Sequence, residues 1–417
     1  MLCTMHVVPL YLYLKWDIWG SEITNKGASV LNAFTSLSFL NLSWTRVACL
    51  PILPTVRSLN MSNCTISFYL QWDTKVLIHL EKNVISGASF GNIAEVFSSI
   101  LPSLLTYLDM SSCSLSNLYC LENMKNLEHL DLSYNRITND VIEYIADIGM
   151  NLKFLSLSNT EVISQALCVL AGTAPSLTTL SLAHTKIDDS ALLYISMMPS
   201  LRILNVSHTC IKGFMIENSK ILSMSALEEL KYLESLNLDD TQLTDNVIAP
   251  LASLRALKYL FKSDFLSDPA LHALSSASNL VHPGFCGNIL SSSGLLKFVP
   301  PAMLRVLDLS GCWILTGDGI SAFCRYQCHP LIELRHELIP ELEKNCGGTS
   351  QLGKSRQPQQ VKSKVAKAKL ADICFVDERI KYSKEELMEL QHLAKSNSLD
   401  VCCAASIRTA KINLTGR

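Results

Sequence analysis

Aliphatic residues return along this chain at a nearly constant interval, and that interval constrains the fold more than any other feature. The clearest run of first apolar residues is Leu130, Leu155, Leu180 and Leu204. These four are almost evenly spaced, and a second apolar residue follows two positions after each. One unit of this length cannot bury its apolar face alone, whereas a stack of units forms a continuous core. The period therefore predicts a solenoid.

Alignment of all copies gives thirteen motif starts and a coarse secondary structure for each repeat. The starts are Trp16, Leu40, Leu59, Ile78, Leu108, Leu130, Leu155, Leu180, Leu204, Leu236, Leu260, Pro283 and Leu307. Alternating apolar and polar residues at each start predict a short strand with one buried face. Apolar residues three and four apart in 139–149 and 188–198 predict helices. Asp188, Asp189 and Asp245 are expected to begin such helices as acidic or N-capping residues.

The aligned strings resemble known repeat proteins. The pattern Leu-x-Leu-Ser-x-Thr-x-Ile-x-Asp and residues 307–319 resemble the ribonuclease-inhibitor-like and cysteine-containing leucine-rich repeats of F-box/LRR proteins. Four segments together resemble a plant family of intracellular leucine-rich repeat proteins: 17–21 (DIWGS), 39–45 (FLNLSWT), 126–133 (NLEHLDLS) and 377–387 (DERIKYSKEEL). We therefore expect an α/β leucine-rich repeat solenoid, or horseshoe, with a parallel β-sheet on its concave face and helices on its convex face.

The resemblance also bears on the N-terminal end of the array. Members of the plant family have further repeats and a helical segment before the point that matches the start of this chain. Here the pattern begins in mid-array at Trp16, and a solenoid needs a polar cap over its first repeat. We expect either an N-terminally shortened version of a longer protein or a partner that covers this edge.

A small hydrogen-bonding residue occupies the sixth position of nearly every repeat. We expect it to satisfy backbone groups where the chain turns inward, as a ladder from repeat to repeat. This predicts structural roles for Cys64, Cys113 and Cys312 rather than catalytic or metal-binding ones. The column comprises Ser21, Thr45, Cys64, Asn83, Cys113, Asn135, Thr160, Thr185, Thr209, Thr241, Asn288 and Cys312.

The rhythm is interrupted at three places. The intervals from Ile78 to Leu108 and from Leu204 to Leu236 are longer than the others, and they predict loops that bulge near 86–99 and 213–226. The repeat at Leu260 is one residue short. Pro283 occupies a strand position, and irregular pairing is expected there because proline lacks the N–H donor. The interruptions either shape a binding surface or are tolerated variation in loops.

The composition limits which cellular compartment and which class of partner can be expected. No apolar run reaches the roughly 18 residues that span a bilayer, and a net charge of −2 argues against non-specific binding of nucleic acid. The 15 cysteines form no paired CxxC motifs, which argues against a zinc site. Unpaired thiols and the lack of a convincing signal peptide favour a cytoplasmic, or nuclear, protein.

The pattern divides the chain into four parts. We predict an irregular stub over 1–15, a solenoid of about 13 repeats over 16–328, a capping segment over 329–345 and a mostly disordered basic tail over 346–417. The capping segment is interrupted by Pro340. In the tail, Ser383 and Glu386 form a capping box that predicts a short helix over 383–394. This helix is either solvated or a motif that docks a partner.

The sequence favours a binding protein over an enzyme. It contains no HExxH motif, and we predict neither a cofactor nor a metal. We predict that a protein partner binds the concave face, where large side chains are few and serve as anchors. The predicted partner-binding residues are Trp19, Trp44, Glu81, Tyr134, His184, His208 and Asp239. For Trp19 and Trp44, packing beneath preceding repeats is an equal alternative.

His184 and His208 occupy the same column of neighbouring repeats, so their strands should lie about 5 Å apart. We expect a polar surface ladder there rather than a two-histidine metal site.

Two alternative functions stay open. The likeness to F-box/LRR repeats suggests a substrate-recognition subunit of an SCF/cullin-type ubiquitin ligase, with ligase subunits as further partners, although no F-box is visible. An extracellular receptor-type ectodomain is the second alternative. The main prediction involves neither nucleic acid nor membrane as a partner.

Overall fold

A computed structural model shows a long parallel sheet built from one strand per repeat. The structure describes residues 15–64, 71–72, 77–90, 93–98, 100–217, 220–262, 266–326 and 333–336. Fourteen strands form the main sheet and follow one another in chain order. The predicted tail with its helix over 383–394 lies outside the described residues, as does nearly all of the predicted stub.

Each strand of the main sheet is three residues long and, except where Asn83 stands, its middle residue is apolar. In chain order the strands are β1 Lys15–Asp17, β2 Phe39–Asn41, β3 Cys49–Leu50, β4 Ser58–Asn60, β5 Gln71–Trp72, β6 Lys82–Val84, β7 Tyr107–Asp109, β8 His129–Asp131, β9 Phe154–Ser156, β10 Thr179–Ser181, β11 Ile203–Asn205, β12 Phe214–Glu217, β13 Lys220–Ser223, β14 Ser235–Asn237, β15 Tyr259–Phe261, β16 His282–Gly284, β17 Val306–Asp308 and β18 Glu333–Arg335. β3 pairs with β5, and β12 with β13, outside the main sheet.

Helices follow the strands and close the core on the other side. The α-helices are α1 Asn25–Ala28, α2 Ile93–Ser98, α3 Ile142–Ile148, α4 Ala166–Thr173, α5 Ser190–Ser196, α6 Asp268–Ala273, α7 Ser292–Lys297 and α8 Gly317–Tyr326. Other repeats have only short 3-10 turns at this place, such as Met224–Glu229 and Ala249–Ser253. α3 buries Ile142, Ile145 and Ile148, the helical spacing that the sequence predicts. The α/β solenoid with a parallel sheet and flanking helices is confirmed.

The fourth repeat begins at Asn83 and not at Ile78. β6 pairs in register so that Asn83 lies opposite Leu59 on one side and Leu108 on the other. With this start the repeats here are as evenly spaced as elsewhere, and the predicted bulge near 86–99 is wrong. Asn83 does not belong to the sixth column; its side chain is fully buried in a leucine position, and its amide has no hydrogen-bond partner among the described residues. A polar residue at an apolar position hid this start from the pattern.

The other two interruptions are confirmed. The long repeat that starts at Leu204 contains an antiparallel hairpin of β12 and β13, in which Phe214 lies opposite Ser223. In the short repeat, Leu266 is buried six positions after Leu260, one fewer than Leu243 after Leu236. Lys262, in the second apolar position, is fully buried, and its Nζ donates to the Thr241 carbonyl at 3.1 Å.

The strand that contains Pro283 is paired irregularly, as proline at this position predicts. β16 is matched with β17 only at Gly284 and Asp308, whereas β14 and β15 are matched at all three positions. This junction therefore has fewer matched positions than those on either side of it.

The sixth column combines two kinds of bond. Threonines such as Thr160 donate to the carbonyl three residues earlier in their own repeat, at 2.6 Å. Asn135 instead reaches the preceding repeat: its Nδ2 donates to the Met110 carbonyl at 2.8 Å, and its Oδ1 accepts from Leu115 N at 2.9 Å. The predicted ladder between repeats is thus made by the asparagines, and by the cysteines described next, while the threonines close their own turn.

The three cysteines of this column are structural, as predicted. Their Sγ atoms donate to carbonyls of the preceding repeat: Cys64 to Leu42 at 2.9 Å, Cys113 to Ile85 at 3.2 Å and Cys312 to Phe285 at 3.1 Å. Burial raises the pKa of the Cys113 thiol to about 12 and that of Cys312 to about 11. Both therefore stay protonated and unreactive at neutral pH.

A second ladder lies on the helical side, where N-caps were predicted. Asp188 accepts from Ser190 N at the start of its helix, at 3.1 Å. Asp189 and Asp245 do not cap their own helices; Asp189 Oδ1 accepts from Gly213 N at 2.6 Å, and Asp245 Oδ1 from Ser267 N at 2.8 Å. Both begin helices as predicted, Asp189 directly before α5 and Asp245 in the first turn of a 3-10 helix, but their carboxylates bind backbone of the following repeat instead of capping.

The sheet extends into the segment that was predicted to cap it. β18 adds to β17 with Leu334 opposite Leu307, so the described part of 329–345 continues the array by one strand. Leu309 N donates to the Arg335 carbonyl at 2.8 Å. The capping role of the remaining residues stays a prediction, because they lie outside the described residues.

Candidate functional site

A row of stacked rings crosses the middle of the concave face, the sheet face opposite the helices. Tyr107, His129 and Phe154 immediately precede the buried leucines of β7, β8 and β9. Side chains alternate along a strand, so these residues lie on the face that the leucines avoid. The Tyr107 and His129 ring centroids are 3.8 Å apart, and those of His129 and Phe154 are 3.9 Å apart, with planes within 9° of parallel. We call these three residues the concave ring row.

A lysine closes one end of the concave ring row. Lys82 Nζ lies 3.7 Å from the Tyr107 ring centroid. Burial, with a smaller contribution from the Lys82 charge, lowers the pKa of His129 to about 3. His129 is therefore neutral at physiological pH. The row presents three half-buried aromatic side chains, which suit contact with an apolar group.

Carboxylates lie directly beside the rings. Asp109 and Asp131 follow the same leucines and share the concave face with the ring row. Ser111 donates to Asp109 Oδ1 from its backbone N at 2.9 Å and its hydroxyl at 2.8 Å. Burial raises the pKa of Asp109, partly offset by these bonds. The site thus combines aromatic surface with acidic groups, a surface that fits an apolar segment bearing lysine or arginine.

A second aromatic group lies further along the same face. His282 packs edge-on against Tyr259 and Phe261, with ring centroids 6.5 and 5.5 Å away. Burial lowers the pKa of His282. Aromatic side chains therefore occur at two separate places on the concave face.

Four of the predicted anchors lie in a different column, at the turn that follows each strand. Trp44, Tyr134, His184 and His208 all have φ between 54° and 60°. This left-handed conformation is uncommon for residues other than glycine, and glycine does occupy the column at Gly20, Gly87, Gly287 and Gly311. We call this set the turn column. It follows the edge of the sheet at which the strands end.

The two predicted histidines are neighbours, as their column position requires. The His184 and His208 rings stack with centroids 3.9 Å apart, and His208 Nδ1 lies 3.0 Å from Asp240 Oδ2. Burial, and secondarily the neighbouring His208, lower the pKa of His184. No group of three or more metal-ligating side chains occurs within the described residues.

Of the remaining predicted residues, Asp239 lies beside His208, whose backbone N donates to the Asp239 carbonyl at 2.8 Å. Trp19 follows β1, far from β14 in the sheet order. Glu81 precedes β6 at the other edge of the sheet, where its carboxylate pairs with Arg57. Its assignment as a concave residue followed from the false repeat start at Ile78.

The concave ring row was missed because only the residues after each leucine were considered. The expectation that large side chains are few on this face is wrong, since the residue before each leucine faces the same side. The signal was present in the sequence: tyrosine, histidine and phenylalanine occupy that position in three successive repeats.

No helix in the described part of the chain is long and apolar enough to cross a membrane.

Comparison with known proteins identifies the repeat. A family model described as Leucine Rich repeat matches residues 123–146, 173–196 and 301–324. No curated protein matches the chain. A leucine-rich repeat protein of Leptospira interrogans is similar in structure, with a TM-score of 0.55 and 20% identity over 75% of this chain and 76% of that chain. At this identity the likeness shows the fold alone.

Two further solved structures are similar at lower scores. An internalin of Listeria monocytogenes gives a TM-score of 0.45 with 16% identity, over 79% of this chain and 82% of that chain. The mouse RP105/MD-1 complex gives a TM-score of 0.49 with 20% identity, over 75% of this chain and 56% of that chain.

Proposed function

We propose that this chain, three segments of which match the Leucine Rich repeat model, is a non-enzymatic scaffold that holds a protein partner against the concave ring row. The observation that supports this is the stack of Tyr107, His129 and Phe154 in the middle of an open sheet face. Aromatic side chains dominate the energetics of protein interfaces, and the concave surface of a solenoid is an extended binding surface.

The neighbouring charges favour one kind of partner. Asp109 and Asp131 lie on the same face as the rings, and both are partly buried. Opposite charge on the partner speeds association and excludes like-charged competitors. The proposed partner therefore presents an apolar segment with lysine or arginine beside it.

The experiment compares two faces of the same protein. Partners are captured from cells with three tagged full-length proteins: wild type, a Tyr107→Ala/Phe154→Ala double variant and a Met197→Ala control. The captured partners are identified by mass spectrometry, and the binding of each purified partner to the three proteins is then measured directly. Met197 is exposed on the helical side, so its replacement removes apolar surface away from the concave face. We expect the double variant to bind at least about tenfold more weakly, as loss of two aromatic anchors implies, while Met197→Ala binds normally.

Circular dichroism establishes that each variant is folded. If every partner binds the folded double variant as tightly as wild type, the concave ring row is not the binding site.

The ubiquitin-ligase hypothesis has less support than the general scaffold. It needs a recruiting element outside the repeats, and of the two candidate segments the described part of one is β18 within the sheet. The other, 383–394, lies outside the described residues. Cullin or its adaptor subunits among the captured partners would favour this function, and their absence would count against it.

A further inference from the structure

One position of the turn column lacks an aromatic ring although the positions on both sides carry one. Tyr134, Asn159 and His184 occupy the column in three successive repeats, so an amide lies between two rings. Adjacent strands are about 4.8 Å apart, which places the Tyr134 and His184 strands about 9.6 Å apart. His184 and His208, with no residue between them in the column, stack at 3.9 Å. Rings in this column therefore adopt stacking distance when neighbouring positions carry them.

The gap at this position opens into a shallow depression at the surface. Its lining is Tyr134, Asn135, Arg136, Asn159, Thr160, Glu161 and His184. A flat group placed above Asn159 would meet the ring of Tyr134 on one face and that of His184 on the other. Offset stacking, possible here on both sides, is one of the arrangements that aromatic groups favour. We call this depression the turn slot.

The charged side chains around the turn slot determine which planar ligand groups can bind there. Glu161 Oε2 lies 3.6 Å from Lys186 Nζ, so this carboxylate already has a cation beside it. Arg136 is exposed and makes no ion pair with the described part of the chain. The unneutralised charge beside the slot is thus positive. A guanidinium group would be repelled by Arg136, whereas a ring with a carboxylate beside it would be attracted.

We propose that the turn slot binds an aromatic side chain of the protein partner, with an adjacent carboxylate of that partner paired to Arg136. The inference rests on the proposed function, because it assigns a second contact to the same partner. The ring stacks between Tyr134 and His184. The slot lies at the sheet edge, apart from the concave ring row, so the two contacts can be tested separately.

The experiment uses N-acetyl-phenylalaninate as the probe, with the full chain. Binding is followed by NMR through the His184 ring protons, assigned with a His184→Gln variant. A probe of this size should bind wild type with a Kd on the order of 1 mM. N-acetyl-leucinate, which has the same charge and no ring, and N-acetyl-arginine amide, a planar cation, should bind at least about tenfold more weakly.

Asn159→Tyr fills the slot with a ring of the protein itself. Tyr134 already adopts φ 57° in the same column, so a tyrosine is compatible with the turn at Asn159. We expect this variant to lose the probe, and Asn159→Gly, which leaves the slot open, to retain it. Equal binding of the leucine and phenylalanine probes, tighter binding of the arginine probe, or unchanged binding by the Asn159→Tyr variant would each overturn the proposal.

Phe154→Ala separates this inference from the proposed function. It changes the concave ring row and leaves the turn slot intact, so probe affinity should stay within about twofold of wild type. If the probe binds as expected while partner capture is unaffected by the concave variants, the slot stands and the proposed function fails. Loss of the probe in Phe154→Ala, with the fold retained, would overturn the slot as an independent site.

Discussion

At the scale of single residues, two polar side chains occupy positions where the repeat pattern predicts aliphatic ones. Asn83 and Lys262 are both fully buried in positions that other repeats fill with aliphatic residues. Lys262 has its Nζ near a backbone carbonyl, whereas Asn83 has an amide without a partner among the described residues. Burying a polar group without a hydrogen bond is unfavourable. Asn83 is therefore a local weakness in an otherwise apolar column.

Asn83→Leu should stabilise the protein. The substitution removes an unsatisfied buried amide and adds apolar surface between Leu59 and Leu108, so the free energy of unfolding should rise by about 1–3 kcal/mol. The measurement is urea unfolding followed by circular dichroism. Leu108→Asn, the reverse change in the neighbouring strand, is the matched control and should destabilise the protein by at least about 2 kcal/mol. A destabilised Asn83→Leu variant would mean that the amide has a partner in solution.

At the scale of elements, the hairpin of β12 and β13 is an addition to the repeat rather than part of it. Gly213 and Met224 flank it, and Met224 N donates to the Gly213 carbonyl at 3.1 Å. Gly213 has φ +77°, and a Cβ there would lie 2.5 Å from Leu243 Cδ2. The ends of the hairpin are thus joined at its base, and β11 pairs directly with β14 in register across it.

Excision of 214–223, with two glycines in their place, should leave the solenoid folded. The closing bond at its base already brings the two ends together, and loop length alone changes closure entropy only slightly. We expect an unchanged far-ultraviolet spectrum per residue and a cooperative thermal transition. Deletion of 188–197, a segment of equal length, is the control, and should abolish cooperative unfolding because it removes α5 and its buried side chains. Loss of the fold in the first variant would show that the hairpin is needed.

At the scale of the whole molecule, stability passes from each repeat to its neighbours only. Most junctions carry backbone pairing at three positions together with bonds from the Asn, Cys and Asp ladders. The junction of β16 and β17 has one matched pair, Gly284 with Asp308, beside Pro283. A linear array separates first at its weakest junction. We therefore expect the last two strands of the described array to separate first, although Phe285 N and Gly287 N still donate to the Asp308 and Ser310 carbonyls across this junction.

Pro283→Leu should strengthen that junction. The new N–H lies at a strand position whose neighbours are paired, so amide hydrogen exchange in β17 should slow by at least about threefold. Exchange is measured by mass spectrometry on overlapping peptides. Pro102→Leu, at the start of a 3-10 turn outside the sheet, controls for the effect of removing a proline from the unfolded chain. Equal slowing in both variants would contradict a local role for Pro283.

The sequence predicts what is repeated and misses what departs from the repeat. The strand and helix positions and the sixth column follow from many similar copies, and the hairpin follows from one long interval. The start at Asn83 could not be found, because an amide at an apolar position is invisible to a hydrophobic pattern. The bonds from Asp189 and Asp245 to the next repeat depend on how helices are offset, which periodicity does not contain. The concave ring row required the residue before each leucine to be read as part of the strand.

In the turn column, the backbone conformation does not depend on which side chain is exposed at the surface. Its conformation is set by backbone bonds, such as Tyr134 N to the Ser158 carbonyl at 2.9 Å and His184 N to the Ser207 carbonyl at 3.0 Å, whatever side chain is present. Glycine, tryptophan, asparagine, serine and histidine all occupy it in this one chain. The column therefore behaves as a row of exchangeable sites at about 4.8 Å spacing, on which new binding specificities could be selected without redesigning the core.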